Sequence, residues 1–313
     1  MLFKNAFIQT LSNGPALSER LLRDLPGTEA FTPCKTHDSS SFGFIPPFEL
    51  REDDYAVHLN GAVFFAVRDQ SRVIPPAAVK ELLAARVKEI ETFAQRKIYR
   101  KEMLQLKDEV IRDMIPGAPL VSKITRGYVS GKLLVLDTAS DAVAGSVLAL
   151  LRNTLQEGIG SLIPTARQIP SYRYGAWVSG KDTPNNFCVG DKVALGNTQY
   201  ADEKLTATAG ITQSDYVKEA LSDGMFVSSL EIDWSGSGMD VPYRASFTLK
   251  EPHILRKLSW ADSALGETEN DGHHARLTAD AFMLVSDIDA IFRDIGNELG
   301  GWEGWGEAES LAA

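Results

Sequence analysis

Side chains able to do chemistry are plentiful in this 313-residue chain, so residue type alone selects nothing and spacing has to decide. A magnesium-dependent nuclease needs carboxylates that converge on one or two metal ions. Glu52-Asp53-Asp54 and the pair Glu231 and Asp233 supply the residue types, but neither set has a lysine in a recognisable active-site arrangement. Gly175 to Lys181 reads G-x4-G-K, part of a phosphate-binding loop, yet Asp182 follows where that motif places a magnesium-binding Ser or Thr. Thr183-Pro184-Asn185-Asn186 is also a poor opening for the helix whose amino terminus should hold the phosphate, so coincidence is the better reading. His37, His58, His253, His273 and His274 lack the spacing of a zinc site. The last two follow Glu267, Glu269 and Asp271, in a stretch that reads as a solvated acidic loop. There is no G-x-S-x-G nucleophile elbow. Cys34 and Cys188 are too few for a disulfide framework or a structural zinc site and read as reduced thiols. No catalytic residue, metal site or cofactor is expected.

The cations carry a stronger signal. Arg96, Lys97, Arg100 and Lys101 stand at i, i+1, i+4 and i+5, which on a helix places all four along one edge. Cations so arranged can meet successive phosphates without reading base sequence. Lys88, Lys107, Lys123 and Arg126 extend the set. From Lys80 to Arg126 eleven cations face seven carboxylates, a balance of +4, although the whole chain has a formal charge of −10. From Asp262 to the last residue twelve carboxylates face Arg276 and Arg293, a balance of −10 that alone matches the net charge. Charge segregated in this way produces local potentials that the net value conceals. The competing reading is a solvated helix face laced with pairs between Glu102 and the cations around it. Phe93 and Tyr99 lie nearby, and Phe93 reads as a core residue rather than a surface for base stacking. Nothing resembles a helix-turn-helix, a zinc finger or an RNA-recognition motif.

The elements that must position these residues follow from periodicity. A hydrophobic fraction of 44% and a charged fraction of 24% are ordinary globular values and exclude wholesale disorder. No apolar run approaches the ~18 residues of a membrane span, and the amino-terminal residues do not form a signal peptide. A cytoplasmic protein is expected. Residues 1–75 read as strands and short helices, with strand composition over Phe3–Leu11, helical spacing over Ala16–Leu25, and loop or edge segments around Phe31–Cys34 and Phe42–Pro47. Val57–Val67 contains Asn60-Gly61, a strong hairpin signal. Pro75-Pro76 opens a helical region over residues 76–126, basic in character, that fits either one long arm or a helical hairpin bent near Lys97–Arg100. Its narrow apolar stripe predicts that it projects. Residues 127–165 return as strand and helix. Residues 166–313 form a second α+β part with an acidic end: a loop-rich middle from Ile163 to Asp223, strands at Ser229–Trp234, Tyr243–Leu249 and Ile254–Trp260, and a helix over Thr278–Leu299. The tail from Trp302 to Glu307 reads as mobile. The predicted class is α+β.

Taken in order, several short motifs resemble one known family over essentially the whole chain. They are Met1-Leu2-Phe3-Lys4-Asn5, Ala30-Phe31-Thr32-Pro33-Cys34, Gly43-Phe44-Ile45-Pro46-Pro47, Val73-Ile74-Pro75 with Val79-Lys80, and Leu106-Lys107-Asp108-Glu109-Val110. Ala149-Leu150-Leu151-Arg152, Leu230-Glu231-Ile232-Asp233-Trp234, Leu255-Arg256-Lys257-Leu258 and Ala279 through Leu284 to Leu299-Gly300-Gly301 continue them. Together they resemble the recombination-associated protein RdgC family. The resemblance implies a homodimer closed into a ring around DNA and associated with the nucleoid. It also implies sequence-nonspecific binding of duplex and single-stranded DNA, and functional antagonism with RecA in homologous recombination. By similarity residues 76–126 form the tip that closes the ring. Arg96 falls at an arginine the family uses, and the closing contact, where relatives carry a buried Phe, falls at Pro119 and Leu120 beside Ile115. Thr206–Thr212 lacks the cations that relatives carry there. The expected function is therefore non-enzymatic DNA binding. The alternatives are a magnesium-dependent exonuclease and a protein–protein adaptor whose basic helix binds an acidic partner.

Overall fold

In the computed structural model, which describes residues 2–11, 18–21, 29–48, 54–155, 159–160, 170–184, 186–200, 202–236, 243–261 and 273–302, strands and helices follow one another without a repeating βαβ order. They run β1 (Ala6–Leu11), β2 (Ser40–Ile45), β3 (Ala56–Leu59), β4 (Ala62–Arg72), α1 (Pro76–Ala94), α2 (Arg100–Met114), β5 (Leu120–Ser130) and β6 (Leu133–Leu136). Next come α3 (Asp141–Leu155), β7 (Ile159–Gly160), α4 (Pro170–Val178), β8 (Phe187–Gly196), β9 (Lys204–Thr208) and α5 (Asp215–Ser222). The last elements are β10 (Phe226–Trp234), β11 (Ala245–Leu249), β12 (Ile254–Trp260) and α6 (His273–Glu298). The class is α+β, with antiparallel pairing between the strands. No helix among the described residues is long and apolar enough to cross a membrane.

The chain divides into two compact units. The first comprises Met1–Leu22, Val57–Phe64 and Gly127–Ala313. Its strands run in the order β6, β1, β12, β11, β10, β8, β9, with β7 pairing β1 beside them. Strand β1 is buried at five of its six positions, a pattern that belongs to a strand covered on both faces rather than to an alternating edge strand. Strand β10 instead alternates, burying Val227, Leu230, Ile232 and Trp234. Helix α3 buries Ala144, Val147, Leu148 and Leu151, and α6 buries Leu277, Ala281, Leu284, Ile288, Ile291 and Ile295, both at helical spacing. Polar ties fix α6 in register: Trp234 Nε1 donates to Asp294 at 2.8 Å, and Arg244 Nε donates to the buried Asp287 at 2.7 Å. Removing the arginine from a buried ion pair such as Arg244–Asp287 costs about 3–5 kcal/mol, because the carboxylate is left buried without that counter-charge.

The second unit comprises Arg23–Ala56 and Phe65–Arg126. Here β4 lies between β2 and β5. Strand β2 pairs β4 from Ser40↔Ser71 to Ile45↔Ala66, and Phe44 meets Phe65 edge-on at 6.3 Å. The Arg72 guanidinium donates to the backbone carbonyls of Lys35, Asp38, Pro116 and Ala118, the last at 2.9 Å. Val73 N–H donates to Pro119 O. One side chain therefore holds the turn by which the helices return to the sheet.

Asn60 and Gly61 take φ values of 48° and 77°, the left-handed pair of a tight hairpin turn between β3 and β4. The strands expected at residues 229–234 and 254–260 are present, and the α6 helix begins earlier than its periodicity suggests. The middle segment that reads as loop-rich instead holds α4, β8, β9 and α5. Gly190 and Asp191 interrupt the apolar pattern of β8, and the β8–β10 register shifts beside them, which hides the strand from a period-two reading. Gly175 of the G-x4-G-K match lies inside α4, and Gly180 (φ 72°) ends the turn that follows it, so no strand-to-helix phosphate loop exists there. Trp302, expected in a mobile tail, is buried and stacked on Phe292 at 5.0 Å. Residues 262–272 and 303–313 of the acidic end, Glu52-Asp53, and most of the Ala16–Leu25 helix lie outside the described residues.

Gly43 shows how tightly the second unit is assembled: a Cβ there would stand 2.7 Å from the Phe31 Cα and backbone nitrogen. Backbone cannot swing aside as a side-chain end can. Gly43→Ala is expected to destabilise by about 1–3 kcal/mol, read as a fall of several degrees in thermal unfolding midpoint. Gly145→Ala, in open space within α3, is expected to raise the midpoint slightly, because alanine is the better helix former.

Candidate nucleic-acid interface

The basic region 76–126 forms a helical hairpin, not one long helix. Pro76 starts α1, since a proline ring is pre-set for the first turn and loses no helical hydrogen bond there. Gln95, in the left-handed conformation at φ 52°, ends α1. The chain then turns through Arg96, Lys97 and Ile98, and α2 begins at Arg100. Two carboxylates make that turn. Glu91 accepts from Ile98 N–H at 3.0 Å, folding the link back on the last turn of α1. Glu102 accepts from Tyr99 N–H at 3.1 Å, the backward half of a capping box. The same Glu102 receives both terminal nitrogens of Arg96, at 2.9 and 2.8 Å. The Arg86–Asp113 ion pair, 3.5 Å, joins the two helices towards their other ends.

Burial shows where the hairpin is anchored. Val79 is the buried residue of α1 and Val110 that of α2. Both lie away from the link, and no residue from Glu91 to Leu104 is buried. The link end has no fully buried residue and is fixed chiefly by the hydrogen bonds and ion pairs of Glu91, Arg96 and Glu102.

This geometry revises the helical-edge reading. Arg96 and Lys97 sit in the link, and only Arg100 and Lys101 are on a helix. Their electrostatic settings differ. Arg96 and Lys97 follow the carboxyl end of α1, whose free carbonyls favour cations, whereas Arg100 and Lys101 occupy the first turn of α2, where the helix dipole disfavours them. Fold stability therefore supplies no reason for cations at 100 and 101. Arg96 is largely occupied: its bonds to Glu102 raise its pKa above the ordinary arginine value and hold the Glu102 carboxyl at about 2, with the Arg96 hydrogen bond as the larger cause and the Tyr99 N–H next. Lys97, Arg100 and Lys101 are exposed and have no ion pair among the described residues. Their positive potential adds to that of the unsatisfied N–H groups at the start of α2.

The remaining predicted residues are more dispersed. Lys88 is exposed on α1, at the rim of a shallow groove between the helices, and Lys107 is exposed on α2. Lys123 is exposed on β5, while Arg126 is half-buried and donates Nε to Pro47 O at 3.3 Å, which gives it a structural task. Ile115 lies half-buried in the 3-10 turn Ile115–Gly117. Pro119 and Leu120 are exposed; on β5 Leu120 and Ile124 share one face and Val121 lies on the other, and all three are exposed. Phe93 is not a core residue: it is 92% exposed, and Tyr99 is 72% exposed. The sequence signal for Tyr99 as a helix boundary was Glu102 three residues on, the spacing of a backward cap.

The other chemical candidates are engaged elsewhere. Glu231 accepts from Asp191 N–H and lies 3.6 Å from Lys192 Nζ, and Asp233 accepts from the Ser246 hydroxyl. His253 packs edge-on against Phe7, and burial lowers its pKa. Among the described residues no three His, Cys, Asp or Glu side chains gather as metal ligands. The arrangement is that of an α+β protein carrying a cation-rich helical hairpin. The chain belongs to the RdgC family: the family model described as "Putative exonuclease, RdgC" matches residues 1–302. It is 27% identical over 312 residues to the recombination-associated protein RdgC of Pseudomonas syringae pv. tomato, covering 97% of this chain and 98% of that protein. The proteins of the same name from Yersinia enterocolitica (25% over 307 residues, 96% and 98% covered) and Pseudomonas aeruginosa (26% over 311 residues, 95% and 98% covered) are similar over the same extent.

The Glu102 carboxyl gives a direct test of the link. An acid whose pKa is lowered on folding contributes stability above its ordinary value, here 4.5, and loses that contribution as the pH falls through about 2. A side-chain NMR titration is expected to place the Glu102 midpoint near 2, and Arg96→Ala is expected to move it up towards 4.5.

Proposed function

We propose that this protein binds duplex and single-stranded DNA without sequence preference, as a two-fold dimer closed into a ring, and modulates RecA-dependent homologous recombination by occupying the DNA. The observation that carries the reading is the exposed set of Lys97 in the link and Arg100 and Lys101 in the first turn of α2, the last two placed against the helix dipole. Phosphate is the chemistry that such a site suits: a helix amino terminus together with unpaired cations. Lys88, Lys107 and Lys123 are further contacts along the same unit. A two-fold ring would duplicate the set on opposite sides of its hole, so modest charge per subunit suffices, and a cation-lined concavity focuses potential despite the net charge of −10. Topological enclosure allows each phosphate contact to stay weak and exchangeable. The relatives' name, recombination-associated, supports the recombination role, and binding along DNA would bring the protein to the nucleoid. The exposed apolar surface at Leu120, with Ile115 and Pro119 beside it in sequence, is proposed to close the ring.

Fluorescence anisotropy of a labelled duplex over a salt series tests the binding. Affinity is expected to fall steeply with salt and not to require magnesium. Replacing Lys97, Arg100 and Lys101 together by Ala is expected to make the log–log salt slope shallower by up to about 3, since each phosphate contact contributes about 0.9. An unchanged slope would show that the patch is wrong. Magnesium-dependent shortening of linear DNA in the same samples would favour the exonuclease named in the family description, and no binding at all would favour an acidic protein partner.

Ring closure is tested separately. Leu120→Asp is expected to shift sedimentation from dimer towards monomer while leaving the far-UV circular dichroism spectrum intact. A dimer of undiminished affinity would remove Leu120 from the interface.

A further inference from the structure

We propose that the link end of the α1–α2 hairpin is a base-stacking site for unpaired nucleotides, with Phe93 and Tyr99 as the stacking rings and Lys97, Arg100 and Lys101 as the flanking phosphate contacts. The inference rests on the DNA-binding reading and adds to it a ligand chemistry, the open face of a base, that backbone contacts do not require.

Phe93 is the anomaly. Phe3, Phe7, Phe44, Phe64, Phe65, Phe187, Phe247 and Phe292 are all buried, whereas Phe93 is 92% exposed. Exposed tyrosines are ordinary here, as at Tyr172, Tyr200 and Tyr216, but a phenylalanine has no hydroxyl to satisfy in water. The other strongly exposed phenylalanine, Phe282 at 61%, lies on α6 between Ala281 and Met283 with Asp280 next, and no cation stands beside it in sequence. Phe93 differs in its company. It occupies the last turn of α1, and the Glu91–Ile98 hydrogen bond folds the link back onto that turn, so Tyr99 comes to the same end of the hairpin.

Tyr99 is also held in place. The Arg96 guanidinium lies 5.8 Å from its ring centroid and is itself gripped by Glu102. The two carboxylates of this end, Glu91 and Glu102, are turned onto the link backbone and Arg96. Their charges are thereby engaged inside the protein, while those of Lys97, Arg100 and Lys101 are presented to solvent. Two exposed rings among free cations is the composition of single-strand binding surfaces: stacking accepts any base because every base has a π-face. Bases in a duplex are already stacked on one another, so these rings select unpaired nucleotides.

The test uses the full chain, oligo(dT), a single strand carrying 2-aminopurine, and a blunt duplex at matched salt. The wild-type protein is expected to change 2-aminopurine fluorescence on binding. Phe93→Ala with Tyr99→Ala is expected to abolish that change and weaken single-strand binding by on the order of tenfold per ring, with duplex affinity and its salt slope unaltered. Phe93→Trp should retain both signals. Unchanged single-strand affinity in the double variant would overturn the proposal, as would an equal loss on duplex and single strand. A fall in dimer affinity on sedimentation would also overturn it, assigning the rings to a second copy of the chain. A wild-type protein that binds duplex but gives no 2-aminopurine response defeats only this inference, whereas one that binds neither form defeats the DNA-binding reading as well.

Discussion

The double engagement of Glu102 is the contact on which the hairpin's geometry turns. One oxygen accepts from Tyr99 N–H and defines where α2 starts, and the same carboxylate grips Arg96 with both terminal guanidinium nitrogens. With Glu91 bonded to Ile98 N–H, these contacts satisfy link groups that would otherwise compete for solvent, and they let a non-glycine, Gln95, adopt the left-handed conformation that ends α1. The bend then sorts the local cations. Arg96 becomes part of the scaffold, while Lys97, Arg100 and Lys101 keep their charge available.

At the opposite end the hairpin is anchored by apolar burial at Val79 and Val110, and by Arg72, whose four carbonyl partners lie in the two segments flanking the sheet return. Stability and recognition are thus placed at different ends of one short unit. The packed end rests on those few buried contacts and on the Arg72 guanidinium. The link end has no fully buried residue, and apart from Glu91, Arg96 and Glu102 its exposed side chains can vary at small cost to the fold. Such a division suits a surface that must meet a repeating polyanion with many weak contacts.

In the larger unit, polar chemistry serves register rather than reaction. Asp294 receives both Trp234 Nε1 and Asn186 Nδ2, and Asp287 receives Arg244, each tying α6 to neighbouring chain. Glu231 and Asp233, the carboxylates that a sequence search for a metal site would choose first, are bonded to Asp191 N–H and the Ser246 hydroxyl. On a strand, residues two apart share a face, so the spacing that resembles a ligand pair is also the spacing of two side chains bracing adjacent strands.

Residue pattern alone determined the α+β class, the Asn60-Gly61 hairpin, the apolar faces of α3 and α6, and membership of the RdgC family, because each is a local or cumulative property of the chain. Turn chemistry acts over a few residues, helical periodicity over a few turns, and a family is recognised by ordered motifs whatever they contact. The β8–β9 region was illegible because its strand is held by pairing with β10 across a shifted register, not by an alternation of its own. Only the tertiary structure decided which cations are free. Arg96 and Lys97 are adjacent and alike in sequence, but a turn brings Glu102 to one and not the other. It also decided that Phe93 faces water. Burial depends on what else the chain places nearby, and among the described residues nothing covers that ring.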